Sequence, residues 1–285
     1  MPLRLRGRAL PAYAVMAIVN RTPDSFYDRG ATFGFDKARR RVDQVIADGA
    51  TLVDVGGVKA GHGPDVSTTE EIDRTASLVA AIRSHHPDVV ISVDTYRAKV
   101  AEAVCAAGAD VINDTWAGSD PAVAAVAGRF GAGLVCSHTG GSPPRTDPHR
   151  PRYDDVVASV LKTTTALAER AVAAGVDRDA ILIDPTHDFG KNTHHSLELT
   201  RRLDELCRSG WPVLVSLSRK DFVGETLSLG VHERLSGTLA ATAISAWHGA
   251  QVFRAHDVVA TRHVLDMVAS IKGERAPGAP RRGLA

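Results

Sequence analysis

The chain has 285 residues, 44% of them hydrophobic, enough to bury a large core without disulfide staples. Its 34 basic and 33 acidic residues leave a net charge of +1, which excludes a chain-wide field for holding nucleic acid or an anionic membrane surface, so any anion specificity must be local. Cys105, Cys136 and Cys207 stand far apart with no C-x-x-C pair, which argues against a disulfide framework or a structural zinc site and for a reducing, cytoplasmic setting.

The opening stretch MPLRLRGRALPAYAVMAIVN sets arginines before an apolar run. It lacks the small-residue cleavage site of a secretory signal and the length to span a bilayer, and reads as a first strand ending at Asn20. The loop that follows, RTPDSFYDRG, holds far more polar capacity than a turn needs. Phe35, Ala38, Val42, Val45 and Ile46 then form one helical apolar stripe. Further along come TLVDVGG, VVISVDT, VINDTW, AGLVCSH, AILIDP, PVLVSLS and AQVFRAHD. With AVMAIVN these make eight nearly continuous apolar runs, as expected for strands covered on both faces in a parallel sheet. Gly108, Gly131 and Gly249 suit the left-handed cap of a helix that turns at once into a strand. Val258, Thr261, Val264, Leu265 and Val268 make the last helical stripe, and the tail GERAPGAPRRGLA has no apolar face to dock. The expectation is an α/β chain folded as a single (β/α)8 barrel over residues 1–272 with a flexible tail, 273–285. An open doubly wound sheet is the alternative.

In such a barrel the C-terminal ends of all strands converge on one mouth. Here those ends carry Asn20, Asp54, Asp94, Asn113, Asp114, Ser137, His138, Asp184, Ser218, Arg219, Lys220, Arg254, His256 and Asp257. Any one of them can cap the next helix. Together they point to a shared site, in which Asp94, Asn113 and Asp184 offer hydrogen-bonding groups for a flat heterocycle and Lys220, Arg254 and His256 offer a cationic ledge for phosphate or pyrophosphate. Ser25 and Ser218 have no evident base partner, which makes a hydrolase triad the weaker reading.

The stretches NRTPDSFYDRG, DVGG, SVDTY, IND, DPTHDFGK, SRK and RAHD, in that order, resemble those of the dihydropteroate synthase family. The resemblance implies a TIM barrel that joins 6-hydroxymethyl-7,8-dihydropterin pyrophosphate to p-aminobenzoate, giving dihydropteroate for folate biosynthesis and releasing pyrophosphate. It implies that Asp94, Asn113, Asp184 and Lys220 hold the pterin ring with Phe189 beside it. Arg254 and His256 would take the pyrophosphate, Asn20 would bind Mg²⁺, and Asp28 would help to close the site. On that reading Asp28, Lys220, Arg254 and His256 form the catalytic set. A cytoplasmic homodimer is also implied, with GTLAATAISAWHG as a candidate contact and with no nucleic-acid or membrane partner.

The chain departs from the family pattern after its second strand, where Glu-Ser-Thr-Arg-Pro-Gly is usual. Here GGVKAGHG supplies Val58, Lys59, Ala60, Gly61, His62 and Gly63, without the threonine hydroxyl or the arginine fork. A lysine there is a point charge and does not reproduce bidentate guanidinium geometry. Asp221 follows Lys220, Thr139 follows His138, and Thr186, His187 and Asp188 replace small and apolar residues, while Arg21 and Arg29 are extra cations placed to compensate. The changes gather on the second-substrate wall and spare the pterin set. Three readings stay open: the synthase, a homologue that binds a pterin-like ligand without synthase activity, and a transferase with another acceptor.

Overall fold

The computed structural model describes residues 3–5, 7–23, 30–146 and 150–282. A short antiparallel pair, β1 (Arg4–Leu5) and β2 (Arg8–Ala9), precedes the main alternation. This runs β3 (Ala14–Asn20), α1 (Phe35–Ala47), β4 (Leu52–Gly56), α2 (Thr68–His85), β5 (Val90–Asp94), α3 (Ala98–Ala106), β6 (Val111–Asp114) and α4 (Ala122–Phe130). It continues through β7 (Gly133–Ser137), α5 (Val156–Ala173), β8 (Ile181–Asp184), α6 (Thr193–Arg201), α7 (Leu203–Cys207) and β9 (Leu214–Ser216). The last elements are α8 (Asp221–Leu227), α9 (Leu235–His248), β10 (Val252–Ala255) and α10 (Val258–Ile271).

The sheet order is β8-β7-β6-β5-β4-β3-β10-β9, and a parallel bridge from Ile183 to Val213 closes the ring. The fold is therefore the (β/α)8 barrel expected from the eight apolar runs. Side-chain alternation explains why those runs are continuous. Val15, Val53, Ile91, Ile112, Ile183 and Val215 point outward into the cluster shared with the helices. Met16, Leu52, Val90, Val111, Leu182 and Val252 point inward and fill the barrel floor. Two residues further along the same inward rows stand Ile18, Asp54, Ser92, Asn113, Asp184 and Arg254, so one face of each strand passes from apolar to polar as it climbs.

Register then sets the polar ends side by side. Asn20 pairs with Gly56, Gly56 with Asp94, and Asp94 with Asn113.

Several sequence expectations need correction. The first residues are not simply part of the first strand: Leu3 and Leu5, 3% and 0% exposed, sit with the floor residues as a plug. Phe35 is 38% exposed and lies under the Arg21 guanidinium, 5.7 Å from its centroid, whereas Ala38, Val42 and Val45 of the same stripe are buried. In α9 the large apolar residues Ile244 and Trp247 face outward while Thr238, Thr242 and Ser245 are buried. By contrast, Gly108, Gly131 and Gly249 all have the positive φ expected of them. Glu274, at the start of the tail, accepts from Tyr13 Oη at 2.9 Å and pairs with Lys272 at 3.0 Å. Among the described residues no helix is long and apolar enough to cross a membrane.

Candidate functional site

A cavity of about 430 Å³ opens at the C-terminal end of the barrel. Asn20, Asp94, Asn113, Asp184, Phe189, Lys220, Arg254 and His256 all line it, together with Val58, Lys59, Ala60, Gly61 and His62 of the second loop. Asp28, with Ser25 and Arg29, lies outside the described residues.

At the centre is a charge arrangement that the sequence reading missed. Arg254 donates from Nε to Asp54 Oδ2 at 2.6 Å and from Nη2 to Asp94 Oδ2 at 3.3 Å. Asp54 also accepts from Ser92 Oγ at 2.6 Å and from Asn113 Nδ2 at 3.3 Å, which commits both of its oxygens to the protein. Because a carboxylate only accepts, the Asn113 amide nitrogen must face Asp54, and its oxygen is left for a donor in the cavity. Asp94 Oδ1 takes the Thr115 hydroxyl at 3.0 Å. Asp184 accepts from the Thr186 backbone N–H through Oδ1 at 2.7 Å, and its Oδ2 takes no hydrogen bond among the described residues.

Burial shifts these groups. Asp94 is pushed up to about 7, mainly by burial and further by the Asp54 charge, against the pull of Arg254. Asp184 is raised by burial against Lys220, and Lys220 is lowered by burial against Asp188 and Asp184. For Asp94 a pH dependence follows. The unfolded carboxyl titrates near about 4, so between that pH and about 7 the native state keeps a proton that the unfolded chain has released. Its contribution to stability is complete below the lower value and is lost as pH rises through the upper one. Urea titrations stepped from acid to neutral pH are expected to show stability falling as pH rises, with Asp94→Asn flattening that slope.

His256 is neutral at pH 7, held down to about 3 by burial and then by Arg254. The ledge therefore owes its charge to Arg254 and Lys220. Ser218 Oγ accepts from the His256 backbone N–H at 3.2 Å and lies 3.0 Å from its Nδ1. Donation of the serine proton to Nδ1 assigns the ring hydrogen to Nε2. The expectation that Ser218 has no base partner is thus corrected, although both contacts go to one residue and lock the imidazole rather than free the hydroxyl for attack.

The connection after β8 is built to hold its shape. Lys191 is 6% exposed and donates to the carbonyls of His138, Thr186 and Phe189 at 2.7, 3.1 and 2.9 Å. Thr186 and Asp188 have φ of +52° and +71°. Gly190 has φ +62°, and a Cβ there would stand 2.1 Å from the Thr139 carbonyl oxygen, so only glycine fits. This frame puts Phe189 in the cavity wall, edge-on to Trp116 at 5.5 Å, with Lys220 Nζ 4.8 Å from its ring centroid. Lys220 Nζ also donates to the His187 carbonyl.

Two of the divergent residues find their surroundings within the protein. Asp221 lines the cavity, but its charge is met by Arg234 Nη1 at 2.7 Å. Arg21 does not line the cavity. It packs on Phe35, its Nε and Nη1 are buried without hydrogen-bond partners among the described residues, and burial and then Arg74 depress its pKa. It is therefore not placed to replace a second-loop arginine.

Residues 16–256 match the family described as pterin binding enzyme. The chain is 58% identical over 291 residues to a Mycobacterium leprae protein named inactive dihydropteroate synthase 2, with 100% of both chains covered. It is 37% identical over 262 residues to the dihydropteroate synthase of Streptococcus pyogenes, covering 90% of this chain and 95% of that one. The crystal structure of Yersinia pestis dihydropteroate synthase with a sulfonamide drug complex superposes with a TM-score of 0.91 at 35% identity, over 96% of this chain and 100% of that one. A barrel of this topology, carrying this cavity and these relationships, belongs to the pterin binding enzyme family as a divergent, dihydropteroate synthase-like member.

Proposed function

We propose that this protein binds a pterin and has lost the condensation chemistry of the synthase. One observation carries the reading: two acceptors, Asp184 Oδ2 and the Asn113 amide oxygen, and one donor, Lys220 Nζ, share a cavity with the Phe189 ring. A 2-amino-4-oxopyrimidine edge presents two donors beside an acceptor, the complement of that set. Loss of condensation is supported at the other end of the cavity, where Val58, Lys59, Ala60, Gly61 and His62 contribute no guanidinium, and by the inactive designation of the 58% identical relative.

Retained synthase activity is the second reading, favoured by Lys59 in the cavity wall and by the 37% identical synthase. On that reading p-aminobenzoate would enter over the second loop, Asp28 would close the site, and Arg254, His256 and Lys220 would steady the departing diphosphate. Asn20 lines the cavity and offers a hard amide oxygen that suits Mg²⁺, an ion that needs few protein ligands because phosphate and water supply the others. The ion would draw off the negative charge of the leaving diphosphate.

Calorimetry with 6-hydroxymethylpterin is expected to give saturable heat. A coupled pyrophosphate assay with Mg²⁺, the pterin diphosphate and p-aminobenzoate is expected to stay at background. Product formation would establish the synthase instead, and absence of heat would end the pterin reading. We also place the protein in the cytoplasm as a homodimer joined through the outward Ile244 and Trp247 of α9, with Met267 and Ile271 of α10 also exposed. Sedimentation equilibrium is expected to give twice the chain mass, and Trp247→Lys to return the monomer.

A further inference from the structure

The second loop is held by its carbonyls. Arg74 Nη1 donates to Gly57 at 2.9 Å, and Arg97 Nη1 donates to Val66 at 2.9 Å. Those arginines belong to α2 and to the entrance of α3, next to the loop in the fold. A third grip comes from elsewhere. Arg145, in the long connection between β7 and α5, donates from Nη2 to the Pro64 carbonyl at 2.8 Å and from Nε to that of Gly61 at 3.4 Å. The second loop follows β4, and β5 and β6 separate β4 from β7. The connections after those two strands, 95–97 and 115–121, are shorter, so the Arg145 bridge spans the rim above β5 and β6, the strands that carry Asp94 and Asn113.

The base of this strap is fixed independently. Tyr153 Oη donates to the Gly190 carbonyl at 2.7 Å, and its ring meets His195 edge-on at 5.0 Å. Among the described residues, Arg145 alone hydrogen-bonds the strap to the second loop. It does so at φ +62°, a conformation an L residue keeps only where its surroundings hold it.

We propose that Arg145 is a positioning residue that latches the strap to the second loop, fixing the outer cavity wall from Val58 to His62 and setting how fast a bound ligand leaves. A guanidinium is required because two separate nitrogens reach two carbonyls, which one ammonium does not reproduce. The pterin reading enters only as the identity of the ligand.

The latch is tested on the full chain in two ways. Without ligand, a lysine-specific protease is expected to cut after Lys59 about tenfold faster in Arg145→Ala than in the wild type, since proteolysis follows the open population and two hydrogen bonds are lost. Cutting after Lys99 and Lys162, inside helices, is expected to be unchanged. With 6-hydroxymethylpterin, stopped-flow fluorescence is expected to show about a tenfold faster off-rate in Arg145→Ala and an intermediate one in Arg145→Lys. Unchanged cutting after Lys59, equal acceleration at all three lysines, or an unchanged off-rate would overturn the latch. If the wild type binds no pterin, the pterin reading has failed and the protease result alone decides the latch.

Discussion

Arg254→Met is expected to lower the free energy of unfolding by about 3 to 5 kcal/mol, seen as a lower urea midpoint at unchanged slope. The cause lies in what remains. Asp54 is fully buried, and Arg254 Nε at 2.6 Å is its counter-charge; Asp94 loses its contact at 3.3 Å in the same step. A buried carboxylate left without its counter-charge costs far more than the ion pair contributed, even with the Ser92 and Asn113 hydrogen bonds in place. The companion replacement Asp54→Leu, made in the Arg254→Met background, is expected to recover most of the loss, because it removes the stranded charge. If the single variant lost less than about 1 kcal/mol, the pair would be no more than surface-like and the account of the cavity centre would be wrong.

Asp184→Asn is expected to weaken pterin binding about 100-fold while changing the melting temperature little. The carboxylate does two jobs through two oxygens, Oδ1 for the Thr186 N–H and Oδ2 toward the cavity. An amide keeps one acceptor. If that acceptor stays with Thr186, an NH₂ group faces the donors of the heterocycle, and donor against donor is worse than no contact. Calorimetry on the two proteins reads the difference directly, and equal affinities would remove Asp184 from the ligand's hydrogen-bonding set.

The barrel was legible because each strand is covered on both faces, so Val15 and Met16, or Ile91 and Val90, are equally apolar and the run shows without alternation. Asn20, Asp94, Asn113 and Asp184 stood out as polar residues where such runs end. Asp54 and Arg254 were read among the same strand ends, but not as a pair, since 200 positions separate them. Opposite charges on inward rows of one barrel are well placed to meet across it, as Arg254 and Asp54 do. The hydrogen bond that locks the His256 ring comes from Ser218, 38 positions away, and the contact between Arg145 and Gly61 spans 84 positions. Neither is written in local pattern. Phe35 turns outward with Arg21 lying over it, and helical periodicity does not record what lies above a helix.

The plug made by Leu3 and Leu5 bears on how the protein is handled in the laboratory. A shortened version starting at Ala14 would uncork the barrel from beneath and let solvent reach Met16, Leu52 and Leu182, the layer on which Asp54 and Asp184 stand. An affinity tag or trimmed leader at that terminus would then disturb the ligand chamber from the opposite side, and a weakened ligand response in such a preparation would report on drainage rather than on chemistry.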